Sequence, residues 1–394
     1  MDEHQGALSP TKMYIQGLQG RGRHLPQNRY HPQSARIPVQ AQTPEFGHDL
    51  LGKSDGVTDY EFFNVDCIVP SEILCNFAVE LCYNAIVMNG VAPHIVQYQG
   101  SKRMLAPQIL RYMPRRFERL VEPFAGMAAI TIAVARQERA EKYVINDLNK
   151  PLVGVLQSAI ETPTKLVSDY TNVWNDQFSY EQGCVEHFYK VRSDFNNGNQ
   201  SPANMLYLLA RCVKGSVRYG SNGLFNQSPD KRRNGTSPKT LKLNVDAISY
   251  YLKGRTDFLS LDYREVLEMT RPGDIVYMDP PYQGVSNVRD NRYYSGIEFG
   301  EFVKAIDRLN SRGVDFLISY DGKCGDKQYG EDLPDELCLQ KIMLRAGLSS
   351  QSILLGKKEV TYEALYVSRG LQQDRNSAKS SSHSLATRLR ITIA

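Results

Sequence analysis

The chain has 394 residues, enough for one large domain or two ordinary ones with a substantial buried core. Hydrophobic residues make up 41% and charged residues 23%, a balance that excludes a disordered or fibrous chain. The formal net charge of +4 is mildly basic and does not by itself demand a polyanionic partner.

Residues 1–57 are rich in Gln, Pro, Gly and His and read as an irregular N-terminal arm without a secretory leader. Residues 58–92 read as a helical extension. Ser71 caps a predicted helix that runs to Met88, with Leu74, Phe77, Leu81 and Ala85 on one stripe. The long apolar stretch from Ile73 to Val91 carries Asn76, Glu80 and Asn84, so it predicts a packed helix and no membrane span. The seven cysteines occur singly, at 67, 75, 82, 184, 212, 324 and 338. With no Cys-x-x-Cys pair and no His/Cys cluster, the expectation is a reducing, cytoplasmic setting and no metal.

From about 92 to 370 apolar runs alternate with helix-like stretches. The runs are Leu120-Val121, Tyr143-Val144-Ile145, Ile275 to Met278, Asp315 to Ser319 and Ala364 to Val367. That alternation predicts an α/β fold, a mainly parallel sheet with helices on both faces. At the start lies Gln97-Tyr98-Gln99-Gly100-Ser101-Lys102, followed by a helix-like run through Leu105, Ile109 and Leu110. Gly100-Ser101 suits a turn and Ser101 a helix cap; the plain reading of Lys102 is a solvated side chain at a helix start. Next, Glu122-Pro123-Phe124-Ala125-Gly126-Met127-Ala128-Ala129 joins a short strand to an apolar helix, Ile130 to Arg136. Small residues at such a turn let the backbone approach a ligand closely.

The second strand ends in Asn146-Asp147. An acidic residue there is placed to bind a ribose hydroxyl pair. It also suits a helix N-cap before Pro151, and the two roles are compatible. There is no Gly-x-x-x-x-Gly-Lys-Ser/Thr and no Gly-x-Gly-x-x-Gly, so the turn suits an adenosine without a polyphosphate.

Residues 153–254 break the alternation and read as an insertion: helical pieces, then a Gly/Asn/Ser/Lys-rich segment. Asn222-Gly223 is a hairpin-turn signal. A two-stranded ribbon fits the major groove, where Arg218 offers a bidentate donor and Tyr219 a stacking ring. The plain alternative is a surface hairpin. Beyond it, Asp230-Lys231-Arg232-Arg233, Lys239 and Lys242 form a basic loop, either a solvated face or a phosphate contact.

The last signal is Asp279-Pro280-Pro281-Tyr282, directly after the predicted strand Ile275 to Met278. In open α/β sheets ligands bind at the carboxyl ends of strands. Proline fixes φ and removes the backbone N–H, so two in succession hold an extended segment rigid. One carboxylate, one acceptor-only carbonyl and one aromatic ring in fixed relation suit an exocyclic amino group on a flat ring. A Pro-rich turn with a solvated Asp is the bland alternative. Residues 371–394 read as a polar, Ser-rich flexible tail.

In this order, Tyr98-x-Gly-Ser-Lys102, Glu122-Pro-Phe124-x-Gly126, Asn146-Asp147, an insertion and Asp279-Pro-Pro-Tyr282, the motifs resemble those of Dam-type DNA adenine N6-methyltransferases. The resemblance covers roughly residues 93–370. It implies an S-adenosylmethionine-dependent methyltransferase (Rossmann-like) sheet from 93–152 and 255–370. It also implies that the insertion, 153–254, is a mostly helical target-recognition domain containing a β-hairpin. By the same resemblance, Tyr98 and Lys102 contact the methionine end of S-adenosylmethionine, and Phe124, Ala125 and Gly126 line it. Asp147 binds the ribose hydroxyls, and Asp262 and Tyr263 hold the adenine. The segment Val217 to Asn226 is similar to the family's Arg-Tyr … Gly-x-Phe-Asn segment, which implies DNA contacts from Arg218, Tyr219, Asn222 and Asn226, with Lys231, Arg232 and Arg233 on phosphates. The chain departs from the pattern after Asn226, where Gln227-Ser228-Pro229 replaces the usual apolar residue, Pro and Gly.

The activity implied is methyl transfer to N6 of an adenine flipped out of double-stranded DNA. Asp279 and the Pro280 carbonyl accept the amino N–H bonds, and Tyr282 stacks on the base. The setting implied is a restriction–modification system with a cognate endonuclease, or an orphan or phage methylase, in a prokaryotic cytoplasm. An RNA or protein methyltransferase of related fold, a non-catalytic DNA-binding regulator, and a polypeptide joining nuclease to methylase are the alternatives.

Overall fold

All five apolar runs become consecutive neighbours in a single sheet. The computed structural model describes residues 92–181, 183–281, 297–324, 327–328, 331–348 and 360–372. The arm 1–57, the predicted helix Ser71 to Met88, Tyr282 and the tail beyond 372 lie outside the described residues. In chain order the strands are β1 (Phe117–Glu122), β2 (Ala140–Asn146), β3 (Thr256–Leu259), β4 (Asp274–Met278), β5 (Asp315–Cys324), β6 (Lys327–Gln328), β7 (Gln340–Leu348) and β8 (Val360–Val367). Their order across the sheet is β3-β2-β1-β4-β5-β8-β7, with β6 paired to β5. Pairing is parallel from β3 through β5 and antiparallel from β5 through β8 to β7.

The chain runs outward from β1 to β2 and β3, then returns to lay β4 on the other side of β1. Strand order therefore reverses between β1 and β4, and a crevice opens beyond the carboxyl ends of these two strands, as in other doubly wound sheets. Side chains alternate across the sheet. Leu120, Tyr143, Ile275, Tyr277, Leu317 and Leu365 enter one buried cluster, whereas Val121, Val144, Val276, Phe316, Ile318 and Tyr366 enter the other. The first cluster is completed by α1 (Ala106–Ile109), α2 (Ala129–Arg136) and the helices inserted after β2; the second by α8 (Tyr263–Glu268) and α9 (Phe299–Ser311). Two covered faces explain why the central strands read as unbroken apolar runs.

Five helices fill the chain between β2 and β3: α3 (Lys150–Glu161), α4 (Pro163–Asp176), α5 (Cys184–Asn196), α6 (Pro202–Arg211) and α7 (Pro238–Leu252). Four of them start with Pro in the first turn, where the missing N–H costs nothing. Two expectations need correction here. The two-stranded ribbon is reduced to a tight loop with one antiparallel bridge, Tyr219 to Phe225. Gly220 N–H donates to the Leu224 carbonyl and Asn226 N–H to the Arg218 carbonyl, at 2.9 and 3.0 Å. The backbone groups of Phe225 that face away from the bridge are taken by Asn196 of α5: its Oδ1 accepts from the amide and its Nδ2 donates to the carbonyl, which ties the loop to that helix. Lys239 and Lys242 are not in a loop; they lie in the first turns of α7, capped by Ser237, where Lys242 pairs with Asp246.

Candidate active site

The crevice beyond β1 and β4 is a cleft of about 380 Å³. Its walls come from the loop 98–102, the β1–α2 turn, the segments after β2, β3 and β4, and residues at the start of α9. Every cofactor residue expected from the sequence lines it, as do Asp279 and Pro280. Val217 and Tyr219 from the loop between α6 and α7 close one side.

Asp279 follows the last residue of β4, so the strand itself fixes its place. Lys102 reaches it from the opposite wall, with Nζ 2.9 Å from Asp279 Oδ1. The solvated-lysine reading is thereby corrected: Lys102 is only 6% exposed, with Nζ also 3.3 Å from the Gly100 carbonyl and 3.4 Å from Glu363 Oε2. Burial alone would favour loss of its proton. The charges of Asp279 and Glu363 outweigh that and hold the ammonium well above the usual lysine range. Ser101 caps the short 3₁₀ turn that carries Lys102, as expected. The helix-like run beyond it is broken into short pieces, with only Ala106–Ile109 forming an α turn.

The β1–α2 turn brings backbone close to the cleft. Gly126 has φ +52°, and a Cβ there would meet the Tyr98 ring at 3.0 Å. Its amide donates to Asp147 Oδ2 at 2.9 Å, while the Asn149 amide donates to Oδ1 at 2.9 Å. The helix that follows is capped by Asn149, not Asp147, which corrects the capping alternative. Asp147 instead tethers the turn, with its carboxyl raised to about 6 by burial against the pull of those two amides.

Beneath the turn sits Glu122, 2% exposed. Its Oε2 accepts from Thr131 N and Oγ1 at 3.1 and 2.6 Å, tying the end of β1 to the first turn of α2. Burial, with a smaller push from the Asp279 charge, lifts this carboxyl to about 8. Asn146 was visible only as half of a motif, yet it holds the cleft's shape. Buried at the end of β2, it donates from Nδ2 to the Pro123 and Leu261 carbonyls and accepts from the Leu261 amide at Oδ1. One side chain thus fixes the two loops on either side of β2.

Across the cleft, Phe124 and Tyr263 pack with ring centroids 5.1 Å apart, backed by Phe302. Asp262 caps α8, and both its oxygens meet the Arg264 guanidinium, which holds its carboxyl below the usual range. Of the residues expected to touch DNA, Tyr219 is buried in the cleft wall, its hydroxyl donating to Asn149 Oδ1 at 3.3 Å, and is not a ring on an exposed ribbon. Arg218 is half-buried, whereas Asn222, Asn226 and Lys231 are exposed. Arg232 and Arg233 are exposed too, but both fold back on the buried Asp230, and Arg233 also reaches Gln97 Oε1. The basic run is therefore an ordered loop, and Asp230 offsets part of its charge. No metal-binding group of three or more His, Cys, Asp or Glu occurs among the described residues. No helix among them is long and apolar enough to cross a membrane.

Residues 98–351 match the profile of the D12 class N6 adenine-specific DNA methyltransferases. The chain is 28% identical to type II methyltransferase M1.LlaDCHI of Lactococcus lactis subsp. cremoris over 237 residues, 57% of this chain and 79% of that one. It is 27% identical to the DNA N-6-adenine-methyltransferase of Escherichia phage P1, over 58% of this chain and 30% of that larger protein. It is 26% identical to the DNA adenine methylase of Escherichia coli K12, over 57% and 79%. A crevice at the strand-order switch, with a lysine-held Asp-Pro-Pro at its floor, agrees with that match: the chain belongs to the D12 class N6 adenine-specific DNA methyltransferase family.

Proposed function

We propose that the cleft binds S-adenosylmethionine and receives an adenine turned out of duplex DNA, with Asp279 and Pro280 presenting its amino group for methylation. The observation that carries this reading is Asp279, fixed by β4 and held by Lys102 on the floor of a cleft built for an adenosine. The donor set fits the cofactor. Asp147 suits a hydroxyl pair, and Phe124 and Tyr263 give a flat ring an apolar face beside Asp262. Gly126 leaves room where a Cβ would crowd Tyr98. The lining carboxylates outnumber its two basic side chains, Lys102 and Arg264, which favours a cation over a polyphosphate. When bound, S-adenosylmethionine supplies an electrophilic methyl group on a positively charged sulfonium.

Adenine's amino lone pair is delocalised into the ring and is a poor nucleophile. Asp279 and the Pro280 carbonyl each accept one N–H, drawing the nitrogen toward tetrahedral geometry and freeing its lone pair. Most of the acceleration comes from this positioning and from preorganised charge. The amino group is inaccessible inside a duplex, so the base is extruded. Tyr282 stacks on it. The segment 153–254 serves as the target-recognition unit, supported by its loop 217–226 forming one wall of the cleft. Arg218, Asn222 and Asn226 contact the DNA near the cleft, Tyr219 shapes the wall beside the base, and Lys231, Arg232 and Arg233 approach phosphates. The setting is a prokaryotic or phage-infected cytoplasm, in a restriction–modification system with a companion endonuclease or as an orphan methylase.

Asp279→Ala should abolish methyl transfer to duplex DNA while S-adenosylmethionine binding, followed by equilibrium dialysis, stays within a few-fold. Near-normal turnover by this variant would remove Asp279 from the chemistry.

A further inference from the structure

We propose that Glu363 is a positioning residue for methyl transfer: it shares the Lys102 ammonium with Asp279 and keeps the floor of the cleft negatively charged. This rests on the catalytic role proposed for Asp279. Glu363 lies on β8, the antiparallel strand that follows the cofactor-binding half of the sheet, 84 residues beyond Asp279 in sequence. Its Oε2 is 3.4 Å from Lys102 Nζ, while Asp279 Oδ1 is 2.9 Å from the same atom. The ammonium is 6% exposed, and the two carboxylates are 21% and 20% exposed.

The charge count explains why a second carboxylate belongs there. Lys102 and Asp279 alone form a neutral pair. A neutral pair offers little to a nitrogen that becomes positive as its bond to the methyl carbon forms and the bond from sulfur to that carbon breaks. Glu363 restores one net negative charge, 3.4 Å from the ammonium that neutralises Asp279. Beside an ammonium only 6% exposed, such a charge acts on the transition state more strongly than it would in bulk water. Glu363 also fixes Lys102 from a second direction. A lysine held by Asp279 alone would follow that side chain's motion; held by Glu363 and the Gly100 carbonyl as well, it anchors Asp279 in one rotamer.

Two other titratable groups act on this trio. Tyr277, two residues before Asp279 on β4, contributes to the field at Lys102, and its hydroxyl is paired with Ser319 Oγ at 2.7 Å. Glu122, on β1, faces Asp279. Glu122 is neutral near pH 7 by burial. Asp279 and Glu363 therefore supply the negative charge that keeps Lys102 protonated, and removing one should let it lose its proton at a lower pH.

The test compares wild type with Glu363→Gln, Lys102→Ala and the double variant. Each is assayed by single-turnover methylation of duplex DNA across pH, with S-adenosylmethionine affinity and thermal melting measured in parallel. Glu363→Gln keeps the side chain's shape. It should slow the methylation step about tenfold or more and leave cofactor affinity within about twofold. In the Lys102→Ala background the same change should cost less, because Asp279 is then no longer neutralised and one negative charge remains without Glu363. An unchanged rate for Glu363→Gln would overturn the inference. So would a slowed rate with an equal loss of cofactor affinity, a lowered melting temperature and full additivity with Lys102→Ala, the pattern of a merely structural role. Asp279→Asn, run beside these, separates the two claims: if it keeps full activity, the proposed role of Asp279 fails; if it is dead and Glu363→Gln is normal, only the role of Glu363 fails.

Discussion

At the scale of single residues, the cleft keeps two carboxyl groups in unequal states. Asp279 is held by a lysine, whereas Glu122, close enough to feel its charge, is buried and carries its proton to about pH 8. The consequence for stability follows from proton linkage. An exposed glutamate releases its proton near 4.5, so between that value and about 8 the folded protein binds more protons than the unfolded chain. Stability from this group is therefore full at low pH and falls as pH rises through that window. Asp147, raised from 3.8 to about 6, adds a smaller effect of the same sign over a lower range. Glu122→Gln keeps an acceptor for Thr131 and removes the ionisation. In urea titrations it should match wild type at about pH 5 and exceed it at about pH 8.5. A variant equally destabilised at both values would show that Glu122 is ionised in the folded protein.

At the scale of elements, the cleft depends on loops held in register by side chains from the strand between them. Asn146 joins the turn after β1 to the loop after β3 through three hydrogen bonds, at 2.9, 3.0 and 2.9 Å. Asn146→Ala strands the Pro123 carbonyl and both backbone groups of Leu261. Unsatisfied buried groups cost about 1–3 kcal/mol. Calorimetry should show a lower melting temperature together with weaker S-adenosylmethionine binding; loss of neither would mean the loops are held by other contacts. The sequence showed the central strands because two covered faces leave no polar positions in them. It did not show β3, whose four residues Thr256–Leu259 are all half-buried or exposed at the sheet edge, nor β7, where exposed and half-buried residues interrupt any apolar run. The turn at Asn222-Gly223 was legible locally, with Gly223 at φ +73°. Its short extent was not: only one bridge, Tyr219 to Phe225, forms across it. Read locally, Lys102 suited a solvated side chain as well as a cofactor contact, because one of its two carboxylates arrives from β8, at a distance no local pattern encodes.

At the scale of the whole molecule, an acidic cleft is set in a chain of net charge +4. That division suits a cationic ligand inside and a polyanion outside. The order of motifs along the chain was legible because the cofactor turn, the acidic strand end and the Asp-Pro-Pro segment each sit at a strand's carboxyl end. Their convergence is a property of the β1–β4 switch, which only the assembled sheet displays. The most direct test of the account is the product itself. Duplex DNA incubated with the purified protein and S-adenosylmethionine carrying a labelled methyl group is digested to nucleosides and separated by chromatography with mass detection. Label is expected in N6-methyladenine and absent with Asp279→Ala. Label appearing instead in a cytosine nucleoside, or persisting with Asp279→Ala, would contradict this reading.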